Sequence, residues 1–202
     1  MTHFENKPFS QACENNKAPI LAVLEQHLVG ISALLEIGSG TGQHAAFFAG
    51  RMPHLVWQAS DRSHHLAGIR IWQQEAALPN LPPPLELDVN DWPWPVDKTG
   101  AVFSANTAHI MSWPEVERLI AGVGRVLQPE GRFLLYGPFR YDGRHTSDSN
   151  ACFDQMLHER DPDSGVRDVE SLMLHADRAG LEILADHPMP ANNRTLVWRR
   201  RS

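Results

Sequence analysis

The chain has 202 residues, of which 42% are apolar and 21% charged, a balance that suits one globular domain with a packed core. Its formal net charge of -6 opposes phosphate-driven binding of DNA or RNA, which needs a basic face, and Arg199-Arg200-Arg201 reads as a solvated tail. No basic stretch leads into an apolar run at the N-terminus, no run of about 18 apolar residues exists, and Cys13 and Cys152 form no C-x-x-C pair, so the expectation is a cytoplasmic protein with reduced thiols and no membrane span.

In chain order, Ile20, Leu21, Leu24 and Leu28 recur at a helical period and predict a helix over 18–28. Ala33-Leu34-Leu35-Glu36-Ile37 is a short apolar run that ends at glycine, which predicts a buried strand. A helix follows over 43–51, stopped before Pro53, and 55–59 is the second strand. Residues 66–78 place Ile69, Trp72 and Ala76 on one helical face. Pro82-Pro83-Pro84 cannot continue a helix and leads into a third strand over 85–89. The fourth strand is 101–105. Pro114 then suits the first turn of a helix, with Ser112 or Trp113 before it, whose stripe is Val116, Leu119, Ile120, Val123 and Leu127. Gln128-Pro129-Glu130-Gly131 is a turn ahead of the fifth strand, 132–136. Helices over 149–159 and 169–179 and strands over 181–185 and 195–198 complete the chain. Strands alternating with helices predict right-handed crossovers and five parallel strands. The short connection between the last two suits an antiparallel return.

The chemistry is carried by Glu36-Ile37-Gly38-Ser39-Gly40-Thr41-Gly42. Glycines after a strand let the backbone approach a ligand and adopt positive φ, and the next helix points its free N–H groups at that ligand. Ligands of open parallel sheets bind beyond the carboxyl ends of strands. Asp61 ends the second strand, where a carboxylate can accept hydrogen bonds from both ribose hydroxyls, and Asp88-Val89 ends the third. A nicotinamide site would show G-x-G-x-x-G; the spacing here, G-S-G-T-G, disfavours that reading. The eleven histidines are scattered without metal-ligand spacing, so no metal is expected.

This pattern resembles motif I of class I S-adenosylmethionine-dependent methyltransferases, roughly E/D-x-G-x-G-x-G. Gln58-Ala59-Ser60-Asp61, Leu87-Asp88-Val89, Phe103-Ser104-Ala105-Asn106 and Leu127-Gln128-Pro129-Glu130-Gly131 resemble the later motifs. More narrowly, the chain is similar to a family of small, uncharacterised methyltransferase-like proteins of about this length. That similarity rests on Ala12-Cys13-Glu14-Asn15-Asn16-Lys17, residues 35–44, Asn106-Thr107-Ala108-His109-Ile110, Gly137-Pro138-Phe139, Ser149-Asn150-Ala151-Cys152-Phe153-Asp154 and Met189-Pro190-Ala191-Asn192-Asn193. The resemblance implies a Rossmann-like α/β fold: a seven-stranded, mostly parallel sheet, helices on both faces and an antiparallel closing strand. It implies one domain over 1–202, with 1–30 covering the cofactor and 137–165 forming a substrate-side insertion or lid.

It also implies S-adenosylmethionine as cofactor, held by Asn16, Glu36, Gly38, Ser39, Gly40, Gly42, Asp61, Asp88, Val89 and Asn106. The acceptor side is expected to be His109, Phe139, Tyr141, Asn150 and Asp154, with His109 the candidate general base. Asn150 and Asp154 are four apart and share a helix face. The mixed polar and aromatic character of this set favours a small-molecule acceptor. A non-catalytic S-adenosylmethionine-binding module acting through a protein partner is the alternative.

Overall fold

The computed structural model describes residues 7–202. In chain order these form α1 (Gln11–His27), β1 (Ala33–Ile37), α2 (Gln43–Arg51), β2 (Val56–Asp61), α3 (Leu66–Ala76), β3 (Leu85–Glu86), β4 (Thr99–Ala105), α4 (Trp113–Val126), β5 (Leu127–Gly137), β6 (Phe139–Tyr141), β7 (Arg144–His145), α5 (Asp148–Arg160), β8 (Arg167–Asp168), α6 (Val169–Arg178), β9 (Leu181–Met189) and β10 (Asn193–Arg200). Seven strands make one sheet in the order β3-β2-β1-β4-β5-β10-β9. The first five are parallel. β10 runs antiparallel to both of its neighbours. The expected Rossmann-like sheet with an antiparallel closing strand is therefore the observed one.

Strand residues alternate between two cores, as a sheet covered on both faces requires. Leu34, Trp57, Phe103, Leu134 and Val197 pack with Ile20, Leu24, Phe48 and Ile69, so α1, α2 and α3 cover one face. Leu35, Val102, Phe133, Leu135 and Trp198 pack with Leu119, Val123 and Leu172 of α4 and α6 on the other. Helix α4 starts as its sequence requires. Ser112 and Glu115 form a capping box, with Pro114 in the first turn.

Four features depart from expectation. α1 begins at Gln11, seven residues before the expected start, capped by Ser10, whose Oγ accepts the Cys13 N–H at 3.4 Å. β3 is two residues long. Its last rung is the Leu87 N–H to the Asp61 carbonyl at 2.9 Å, because β2 stops there and the chain enters a 3₁₀ turn at Ser63–His65. The turn at Gln128-Pro129-Glu130-Gly131 is a bulge inside β5, with Glu130 at φ 62°. Finally, β6, β7 and β8 build a small second sheet that the sequence pattern did not announce.

Candidate functional site

The carboxyl ends of β1, β2 and β4 open onto one cavity of about 1070 Å³. Gly38, Ser39, Gly40 and Thr41 line it. Gly38 and Gly40 sit at φ 74° and 57°, a region that costs residues with a Cβ. A Cβ on Gly38 would meet Thr107 Cγ2 at 2.4 Å, so the loop after β4 packs directly on that backbone. Around Gly40 nothing lies within 4 Å of the Cβ position, and its backbone faces open space. A Cβ on Gly42 would meet Ile69 Cα at 2.9 Å. Gly42 therefore serves the packing of α3 and is absent from the cavity wall.

Asp61 lines the cavity and ties the turn to β2. Its Oδ2 accepts the Gly40 N–H and its Oδ1 the Arg62 N–H, both at 2.7 Å. Each oxygen keeps a further lone-pair site for a ligand. Glu36 lies one layer deeper, 1% exposed. It accepts the Ser39 hydroxyl at 2.8 Å and the Trp57 indole N–H at 2.9 Å. Burial raises its carboxyl to about 7 against the pull of those two bonds. Glu36 thus braces the turn from behind, off the cavity wall. Asn16 is also one layer back: its Oδ1 accepts the His44 Nε2–H at 2.7 Å, and His44 reaches the cavity. Burial depresses the His44 imidazole to about 4, so it is neutral near pH 7.

At the β3 end, Asp88 pairs with Arg62 Nε at 3.1 Å and accepts the Asn90 N–H at 2.9 Å. Val89 is in the core. Neither lines the cavity; Asn90 does. Its Nδ2 donates to Asp88 at 2.9 Å and Glu115 at 3.1 Å, and its Oδ1 accepts from Arg118 at 2.8 Å.

Beyond β4, Asn106 lines the cavity at φ 58°, its N–H donated to the Tyr136 carbonyl at 2.9 Å. His109 is buried in the wall, edge-on to Phe153 with ring centroids 5.3 Å apart. Burial, helped by the Arg167 charge, depresses its imidazole to about 4. Asn150 and Phe153 enter from α5. The other three acceptor-side candidates lie outside the wall. Phe139 is core. The Tyr141 hydroxyl donates to Asp186 at 2.7 Å. Asp154 accepts the Val166 N–H at 2.6 Å, with His145 Nε2 at 3.2 Å, joining α5 to the small sheet. The segment 140–148 is a hairpin pinned by the Gly143 N–H to Asp168 at 2.8 Å.

Sequence reasoning missed Ser10, which caps α1, Ala12 and Cys13 within it, Ile110 and Met111 beside His109, and Asn193, all of which line the cavity. Ala12, Cys13, Ile110 and Asn193 lie in segments that carry the family resemblance, and Met111 follows from its place after a strand end. Among the described residues no group of three His, Cys, Asp or Glu could hold a metal, and no helix is long and apolar enough to cross a membrane.

The sequence matches, over residues 7–200, the family described as "Protein of unknown function (DUF938)". The chain belongs to that family. Its fold is shared with solved methyltransferases. The mitomycin 7-O-methyltransferase MmcR superposes with a TM-score of 0.81 at 17% identity, over 94% of this chain and 54% of that one. An O-methyltransferase family 2 protein from Planctomyces limnophilus, solved with apigenin, gives 0.80 at 17% identity over 94% and 57%. Human N-acetylserotonin methyltransferase, solved with S-adenosylmethionine, gives 0.78 at 14% identity over 95% and 53%. The chain spans about half the length of these proteins.

Proposed function

We propose that this member of the DUF938 family binds S-adenosylmethionine and transfers its methyl group to a small-molecule acceptor. The observation that carries the reading is the Gly38–Gly40 turn, open at Gly40 and locked to Asp61, at the mouth of the cavity. Small-molecule sites run to about 300–1,000 Å³, so about 1070 Å³ accommodates a cofactor and a modest acceptor together. Shared fold with proteins named for small-molecule O-methylation supports the same class of acceptor.

In this reading the backbone of Gly38, Ser39 and Gly40 cradles the amino-acid end of the cofactor. Asp61 accepts the ribose hydroxyls with the lone pairs left by Gly40 and Arg62. Asn90 occupies the wall at the adenine end, oriented by Asp88 and Glu115. Asn106 borders the reacting centre. Bound S-adenosylmethionine supplies an electrophilic methyl group on a sulfonium. Aligning the acceptor and excluding water is then the protein's main contribution, and Ser10, Ala12 and Cys13 at the start of α1 close that side of the cavity. Neutral His109 can accept a proton from the acceptor as the new bond forms.

Calorimetric titration with S-adenosylhomocysteine tests the cofactor. Asp61→Ala is expected to weaken binding by about 1.5–3 kcal/mol, the range for hydrogen bonds to a charged group. Binding of NAD in place of S-adenosylhomocysteine, or unchanged affinity in a folded Asp61→Ala protein, would overturn the assignment. Labelled methyl release to a metabolite panel tests turnover; tight cofactor binding without any release points to the non-catalytic binding module.

A further inference from the structure

We infer that Asn150 presents its side-chain carbonyl as a fixed hydrogen-bond acceptor to the methyl acceptor, so that the substrate enters as an O–H or N–H group on an apolar body and carboxylates are turned away. The inference rests on the methyl-transfer reading and specifies what that site accepts.

A side-chain amide has two N–H donors and one carbonyl. Both donors of Asn150 are used within the protein. Nδ2 donates to Thr146 Oγ1 at 2.9 Å and to the Asn192 backbone carbonyl at 3.0 Å. The second of these is held in place by two successive non-glycine residues in the left-handed region, Ala191 at φ 56° and Asn192 at φ 57°. Such backbone is strained and persists where the surroundings enforce it. Rotating the amide by 180° would set its oxygen against the Asn192 carbonyl, so the orientation is fixed. Oδ1 accepts no hydrogen bond from the described residues, and it is not among the atoms sealed from solvent without a partner. Asn150 is only 6% exposed and lines the cavity, so the free carbonyl opens into it.

The surroundings match a neutral or cationic donor. Phe153, one turn further along α5, and Pro138 supply apolar wall. His109 beside them is neutral and brings no positive charge to this end. No lysine or arginine lines this end. Arg62 and Arg118 belong to the β3 end, where they are paired with Asp88, Glu115 and Asn90. Arg167, the cation behind His109, is absent from the wall and directs Nε and Nη2 to the carbonyls of Ala108, Met111 and Asp163. A carboxylate placed here would face a carbonyl oxygen with no cation in the wall to pair with it and offset its desolvation.

The test uses protein saturated with S-adenosylhomocysteine and three probes of similar size, 4-methylphenol, benzylamine and benzoate, read by saturation-transfer NMR. The phenol and the amine are expected to bind, and benzoate at least about tenfold more weakly. Asn150→Leu is expected to lower binding of the two donors by about tenfold with S-adenosylhomocysteine affinity unchanged. Thr146→Val, which frees one amide N–H and leaves the helix intact, is expected to narrow the preference over benzoate. Benzoate binding as well as the phenol, no probe binding, or donor affinities untouched by Asn150→Leu would each overturn the proposal. Failure of S-adenosylhomocysteine itself to bind would overturn the parent reading, and this one with it.

Discussion

Glu36 carries the sharpest single-residue consequence. Its carboxyl titrates near 7 in the fold, while the ordinary value is 4.5, so between those pH values the folded protein holds a proton that the unfolded chain has released. The stability contributed by the neutral form is complete below pH 4.5 and is lost as pH rises through about 7. The gap corresponds to on the order of 3 kcal/mol. Glu36→Gln keeps an acceptor for Ser39 and Trp57 and removes the charge. Urea denaturation is expected to show the variant more stable than wild type at pH 8, with the advantage vanishing near pH 4.5; an equal difference at both would mean that Glu36 does not titrate as its burial requires. The sequence made Glu36, Gly38, Gly40 and Asp61 legible because their spacing marks where strands end, and strand ends are what bring them together. It did not mark how charges would pair. Arg62 turns to Asp88 and Glu115, which leaves Asp61 to the glycine turn and puts Asn90 on the wall.

At the scale of elements, the helices and strands that carry a strong apolar period were legible, and the ones that do not were missed. The first half of α1 is polar, with Asn16 its one buried residue before Ile20, so periodicity locates only the second half. β6, β7 and β8 have two or three residues each, too few to show a period of two. What anchors the polar half of α1 is Gln43, at the start of α2. Its Oε1 accepts the Ser10 N–H at 2.5 Å, and its Nε2 donates to the Ser10 carbonyl at 3.4 Å and to Glu14 at 3.2 Å. Pro8 adds a second tether through its carbonyl, which accepts the Trp72 indole N–H at 2.8 Å. Since Ser10, Ala12 and Cys13 line the cavity, this docking controls one of its walls. Gln43→Ala is expected to speed amide hydrogen exchange across 11–17 while β1, β4 and β5 keep their protection. Saturating S-adenosylhomocysteine should restore slow exchange there, because a ligand that binds the closed arrangement stabilises it. Uniform acceleration through the sheet would show instead that Gln43 supports the whole fold.

For the molecule as a whole, the buried ionisable groups set opposing pH dependences. His44 stacks on Phe48 and approaches Phe103 on the α1–α3 side of the sheet, and His109 follows Ala108, which belongs to the core on the other side. Both imidazoles are depressed to about 4 from 6.5, chiefly by burial. Between those values the unfolded chain binds two protons that the folded protein refuses. Their contribution is therefore full above pH 6.5 and is lost as pH falls toward 4. Glu36 works in the opposite sense between 4.5 and 7. In the shared interval two refused protons outweigh one retained proton, so these three groups make stability rise with pH by a net of one proton, or about 1.4 kcal/mol per pH unit. Above 7 none of them titrates and their contribution levels off. His44→Gln removes one of the two refused protons while leaving a side chain that can still donate to Asn16. In that variant the net dependence on these groups falls to about zero between pH 4.5 and 6.5. Denaturation free energies measured at half-unit steps from pH 4.5 to 8 should show wild type climbing more steeply than His44→Gln below 6.5 and the two curves running parallel above 7. Parallel curves throughout would mean that His44 is protonated or exposed in the folded protein, contrary to its burial between α1 and α2.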